Sequence, residues 1–210
     1  MPQIGKRGSY MKTEAIKKLR VEMETSKYGT VVHGEGNIEA AMVLVGEAPG
    51  SKEVELGRPF VGQAGKNLDE FLKVVELERK EIYITNVVKT RPYKINSRTG
   101  RKNNRPPNKE ELMFFTGRLH EELKLIGPSL VVTLGNTALR AVTGEGALAI
   151  SDVHGCPYEK EGMGFRVFPL YHPAAVIYNR ALRPVYLDDL KELKAYIKNE
   201  VQACLASKGL

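Results

Sequence analysis

Four short apolar runs, at 40–47, 81–88, 129–135 and 165–172, alternate with stretches in which apolar residues recur at helical spacing. No other feature narrows the possible folds so far. A run such as "AAMVLVGE" has no polar side to turn to water. Strands of that kind need cover on both faces, and intervening helices supply it in a parallel sheet. The pattern therefore predicts an α/β three-layer α/β/α sandwich around a short, mainly parallel four-stranded sheet.

The helical stretches can be placed from their periodicity. "KTEAIKKLRVEM" (12–23) sets Ile16, Leu19 and Met23 on one face, and "AGKNLDEFLKVV" (64–75) does the same with Leu68, Phe71, Leu72 and Val75. "NKEELMFFTGRLHEELKLI" (108–126) opens on Asn108 with Glu111 three residues on, the spacing of a capping box. A short helix follows the third strand, with Asn136 as its expected cap and Gly144 near its end. A long C-terminal helix begins with Pro184 close to its first turn. Residues 1–11 are expected to be a leader, and 12–210 a single domain.

Composition limits the function classes. The formal net charge of +7 favours a polyanionic partner. No stretch approaches the roughly 20 apolar residues of a membrane span. Cys156 and Cys204 lie far apart and match no metal-ligand spacing, as expected of reduced thiols in a cytoplasmic protein.

In open parallel sheets, ligands gather beyond the carboxyl ends of the strands. Those ends here are Gly46-Glu47-Ala48-Pro49-Gly50, Thr85-Asn86, Leu134-Gly135-Asn136 and Tyr171-His172-Pro173. One rim thus collects a carboxylate, two amides and an imidazole. Gly46, Gly50, Gly62 and Gly65 leave room for close backbone approach.

In chain order, "GEAPG", "GRPFVGQAG", "ITNVVKTRP", "VVTLGNTA" and "YHPAA" resemble the motifs of the uracil-DNA glycosylase superfamily, family 4 type. The resemblance runs from about residue 31 to the C-terminal helix. It implies hydrolysis of the N-glycosidic bond of uracil in DNA, giving free uracil and an abasic site, and for this chain no metal or nucleotide cofactor is expected. It places Phe60 against a flipped base, with Gly46 and Ala48 in the pocket wall. Asn86 would read the uracil edge, since its amide carries both a donor and an acceptor. His172 would donate to uracil O2, where charge gathers as the base departs. A carboxylate near the sugar would orient the attacking water, with Glu47 the first choice and Glu53 the alternative.

The same resemblance makes 172–184 a loop that enters the DNA strand. Ala175 to Tyr178 would supply an apolar wedge, with Arg180 and Arg183 on phosphates. Gly50, Gly62, Gly135 and Asn136 would also meet the DNA backbone. In two respects the chain departs from the family. The positions of four cysteines that usually hold a [4Fe–4S] cluster correspond to Leu19, Glu22, Thr90 and Phe115, so no cluster is expected. The segment 89–109 is long and basic, and Lys94, Arg98, Arg101 and Lys102 are its candidates for tracking phosphates. The expected partner is uracil-bearing DNA, met by a monomer. A non-catalytic DNA-binding relative, or a glycosylase for other deaminated bases, is the alternative.

Overall fold

A computed structural model describes residues 4–207, without the side chains of 4–8, Ile177 and 201–207. Along the chain run α1 (Ile4–Glu24), β1 (Glu35–Gly36), β2 (Met42–Gly46), α2 (Ser51–Leu56), α3 (Gln63–Val75), β3 (Tyr83–Asn86), β4 (Tyr93–Ile95) and β5 (Lys102–Asn104). Then come α4 (Lys109–Ile126), β6 (Leu130–Leu134), α5 (Gly135–Thr143), α6 (Ile150–Val153), β7 (Arg166–Leu170), α7 (Pro173–Tyr178) and α8 (Leu182–Ser207).

The main sheet has the order β1-β3-β2-β6-β7. β3, β2, β6 and β7 are parallel, and β1 pairs antiparallel with β3. These four parallel strands are the four expected. β1 adds an edge strand of two residues, too short to leave a periodic signal.

Side-chain alternation splits the core in two. Val43 and Val45 of β2 point to one face, where Leu19 of α1, Phe115 of α4 and Leu139 of α5 meet them. Met42 and Leu44 point to the other, against Leu68, Phe71 and Leu72 of α3 and Leu190 of α8. Both faces of the sheet are covered, which completes the three layers. Each large side chain so buried contributes roughly 1.5–3 kcal/mol. No helix among the described residues is long and apolar enough to cross a membrane.

α3, in the connection from β2 to β3, lies on one face of the sheet and α5, after β6, on the other, although β2 and β6 are neighbours. Connections that part in this way open a crevice at the carboxyl ends.

Three expectations need correction. The helix expected to begin at residue 12 begins at Ile4 and takes in most of the expected leader. Asn136 is not the cap of α5, because Leu134 stands at that position and Asn136 lies within the first turn. Its Oδ1 instead accepts from the Ile150 N–H at 2.8 Å, tying α5 to α6. Residues 173–178, read as loop, form α7, whose cap is the His172 ring. The expected capping box of α4 is present, with the Glu111 N–H donating to Asn108 Oδ1 at 2.8 Å and the Asn108 N–H to Glu111 Oε2 at 2.7 Å.

Candidate active site

β2 and β3 run in register, and their last residues, Gly46 and Asn86, are partners. Of that pair, Asn86 lines a cleft of about 320 Å³. A Cβ at Gly46 would lie 2.5 Å from Asn86 Oδ1 and 2.5 Å from Phe60 Cζ. Only glycine lets the amide and the ring approach each other there.

Phe60 is buried and lines the cleft. Its backbone is left-handed, at φ 52, which costs about 1–3 kcal/mol for a residue with a side chain. Arg79 helps hold it, donating from Nη2 to the Phe60 carbonyl at 2.6 Å.

His172 enters from the end of β7. Its Nδ1 accepts the Ala174 N–H at 3.1 Å, so Nε2 carries the proton of the neutral ring. Burial pushes the imidazole down to about 4. The residue is therefore a neutral donor at physiological pH. Gly135, at φ 82, passes close by, and a Cβ on it would lie 3.2 Å from His172 Cβ.

The two glutamates differ in their surroundings. Glu53 lines the cleft but is committed to the loop around it. Its Oε1 accepts from the N–H groups of Val61 at 3.1 Å and Gly62 at 2.7 Å, and its Oε2 accepts from Gly50 at 3.1 Å. This carboxylate joins the start of α2 to the segment that presents Phe60. Glu47 is half-buried between Gly46 and Ala48, and Thr137 Oγ1 donates to its Oε2 at 2.5 Å. Glu53→Ala would orphan three backbone donors, and a loss of about 3 kcal/mol in urea unfolding is the expected result. A loss below 1 kcal/mol, with activity retained, would contradict that organising role.

The cleft thus gathers Ala48, Gly50, Glu53, Phe60, Gly62, Asn86 and His172. It also takes in Lys52, whose ammonium lies 2.9 Å from Glu55. Gly46, Glu47, Gly135 and Asn136 stand outside its lining. Ala175 is half-buried, whereas Tyr178 is 90% exposed at the end of α7. Arg180 is exposed, and Arg183 lies at the mouth of a separate small cavity beside Val176 and Tyr186. The other histidines are engaged elsewhere, His33 with Glu24, His120 with the Ala141 carbonyl and His154 with Asp189.

The basic segment 89–109 divides. Lys94, Arg98, Arg101 and Lys102 are exposed, on or beside the β4–β5 hairpin. Lys89, grouped with them by sequence, is 0% exposed and pairs with Glu122 at 2.6 Å. It also donates to Thr85 Oγ1 at 2.5 Å and to the Asn86 carbonyl at 2.7 Å. Burial pushes its ammonium below the ordinary lysine value, and Glu122 pulls against that shift. Lys89 is thus a clamp beneath Asn86, which sequence reasoning missed. Asn104 and Thr137 were missed too. Asn104 lines the cleft from β5, and only the folding back of the hairpin brings it there.

At the four positions that correspond to cluster ligands, Leu19 and Phe115 belong to one apolar core, Thr90 is buried and Glu22 is exposed. Phe115 packs edge-on to Phe114 and lies 5.8 Å from the ring of Tyr28. These side chains do not fit an iron–sulfur cluster, which needs thiolates. Among the described residues, no group of three or more His, Cys, Asp or Glu side chains is placed to hold a metal ion.

Comparison with known proteins places this site in a lineage. The profile of the Uracil DNA glycosylase superfamily matches residues 33–196. A type-4 uracil-DNA glycosylase of Thermotoga maritima is 40% identical over 172 residues, covering 81% of this chain and 84% of that protein. One from Sulfurisphaera tokodaii is 40% identical over 78% of this chain and 73% of its own length. One from Archaeoglobus fulgidus is 42% identical over 77% of this chain and 79% of its own length. On this evidence, and in keeping with its fold, the chain belongs to the uracil-DNA glycosylase superfamily and is of the type-4 kind.

Proposed function

We propose that this chain is a monofunctional uracil-DNA glycosylase of base-excision repair, acting without metal or nucleotide cofactor. The observation that carries the reading is the meeting of Phe60, Asn86 and His172 in one cleft at the carboxyl ends of parallel strands. Those three groups suit an extruded pyrimidine. Flipping costs roughly a few kcal/mol, offset by stacking and by hydrogen bonds to the base edge. Phe60 supplies the stacking face. The Asn86 amide donates to O4 and accepts from N3–H, and cytosine presents that edge reversed.

Bond cleavage leaves the electron pair of the C1′–N1 bond on uracil. Charge then collects on O2, where the Nε2–H of His172 donates. The sugar gains oxocarbenium character, and water adds at C1′. Glu47 is the carboxylate that orients this water and takes its proton. Four lone-pair sites are available on a carboxylate, and one bond, from Thr137, is made to Glu47. Glu53, with three backbone donors, is the positioning residue for the loop.

The DNA meets the same rim. Tyr178 is the exposed wedge, and Arg180 and Arg183 follow it toward phosphates. The same reading leaves the enzyme without an iron–sulfur cluster, because Leu19 and Phe115, which share the core between α1 and α4, carry no thiolate to ligate iron.

The direct test is a uracil-bearing single-stranded oligonucleotide, followed by alkali to cut at abasic sites. Strand cutting above matched cytosine and thymine controls is the expected result, and its absence would refute the assignment. Asn86→Ala is expected to lose well over tenfold in kcat/KM with circular dichroism unchanged. A wild-type rate in that variant would remove Asn86 from the uracil contact.

A further inference from the structure

We propose that the β4–β5 hairpin is a stacking platform for single-stranded DNA, on which Tyr93 receives the base next to the flipped uracil. This rests on the glycosylase reading for the identity of the strand, and on the hairpin's own geometry for the platform.

The geometry begins with register. Tyr93 is directly opposite Asn104, and Ile95 is opposite Lys102. Cross-strand partners share a face, so all four side chains lie on one side of the hairpin. Asn104 on that side lines the cleft. The face therefore continues the cleft wall outward, with Tyr93 beside Asn104.

The chemistry of this face fits a nucleotide. Tyr93 is 39% exposed and Ile95 is 64% exposed, on a two-stranded sheet with no further strand. The Lys102 ammonium sits 4.4 Å from the centre of the Tyr93 ring. Lys94, Arg98 and Arg101 are exposed elsewhere on the hairpin, Lys94 on the opposite face, and add to its overall positive charge. An aromatic ring among cations beside a cleft for an unstacked base suits single-stranded nucleic acid. Any base presents a π-face, so the platform tolerates sequence. A paired base is already stacked in its duplex, so the platform favours single strands.

The hairpin is also ordered in advance. Arg91 donates to Asn104 Oδ1 at 2.7 Å and to the Lys102 carbonyl at 3.0 Å. Arg105 grips Glu111 with two bonds, at 2.7 and 2.8 Å, and donates to the Tyr93 carbonyl at 3.2 Å. At the tip, Asn96 Oδ1 accepts from the N–H groups of Arg98 and Thr99. A two-stranded hairpin alone is marginal in water, and these bonds, with the Arg105–Glu111 tie to the start of α4, fix it. Preorganisation lowers the ordering cost of binding.

The test has two arms on the full chain. Fluorescence anisotropy with a labelled, uracil-free single-stranded oligonucleotide compares wild type, Tyr93→Ala, Tyr93→Phe and Lys102→Ala. Tyr93→Ala is expected to bind roughly fivefold or more weakly, the lower end for base–aromatic stacking, and Tyr93→Phe close to wild type. Lys102→Ala is expected to reduce the salt slope by about 0.7. The second arm follows uracil release from oligonucleotides with an abasic spacer on one or other side of the uracil. The Tyr93→Ala penalty, expected in KM, should vanish with the spacer on one side and persist with it on the other. Unchanged binding by Tyr93→Ala overturns the platform, and so does a penalty equal in single strand, duplex and both spacer substrates. If wild type releases no uracil, the glycosylase reading fails while the anisotropy arm still decides the platform. If uracil is released but Tyr93→Ala binds as wild type does, only the platform falls.

Discussion

Glu122→Ala is expected to cost about 3–5 kcal/mol of folding stability, the range for removing one partner of a buried ion pair. Lys89 and Glu122 are both buried, on β3's flank and on α4. Glu122 Oε2 accepts from Lys89 at 2.6 Å and from Thr85 at 3.1 Å, while Oε1 accepts from Tyr83 at 2.8 Å. Alanine at 122 would strand an ammonium and two hydroxyls in the core. Urea unfolding with a fitted slope is the measurement, and a loss below 1 kcal/mol would show that the network relaxes freely. The paired replacement Lys89→Met with Glu122→Leu separates two roles. Well-packed apolar residues often match a buried ion pair in stability. The Asn86 carbonyl would nevertheless lose the donor now 2.7 Å away. Stability should recover in part, because the ammonium is gone while the Tyr83 and Thr85 hydroxyls still lack their acceptor, and kcat/KM for uracil release should stay depressed. Recovery of both would mean that Lys89 serves the fold alone.

This network shows where sequence reasoning reaches its limit. The sheet was legible because each strand carries its own periodicity, and Val43, Leu44 and Val45 need no knowledge of their partners to be read as buried. The cleft was legible because a parallel sheet sends its strand ends to one side. Gly46, Asn86 and His172 follow from that rule once the strands are placed. Lys89 was not legible. It opens a run of cations, and its partner is 33 residues on, in α4. Local composition describes the run and misses the single member that folds inward. The two glutamates posed a related difficulty. Glu47 and Glu53 are close in sequence, and only the turn that returns Val61 and Gly62 to Glu53 distinguishes them. The hairpin stayed hidden because "YKI" and "KNN" are three residues each, too short to show a period.

His172→Ala is expected to lower kcat for uracil release by about 10²–10³, the loss usual for one preorganised donor at developing charge. The size of that loss depends on which nitrogen holds the proton. Nδ1 accepts from Ala174, so it caps α7 and leaves Nε2–H to donate. Protonating Nδ1 would set donor against donor and break that cap. Burial opposes the charge as well, holding the ring at about 4. Because the folded value lies below the ordinary value of about 6.5, the unfolded chain binds the proton first. Stability from this residue is therefore complete above about pH 6.5 and is lost as pH falls toward 4. As far as this ring governs it, the rate should be flat from neutral to mildly acidic pH and fall near pH 4. His172→Asn distinguishes the two tasks of the side chain. Asparagine is among the best helix caps, so it should keep the stability that alanine loses, about 1 kcal/mol. Its shorter amide cannot place a donor where Nε2 stands, so activity should remain near that of His172→Ala. Activity restored by asparagine would mean that the ring acts only by shaping α7, and the catalytic donor would have to be sought elsewhere in the cleft.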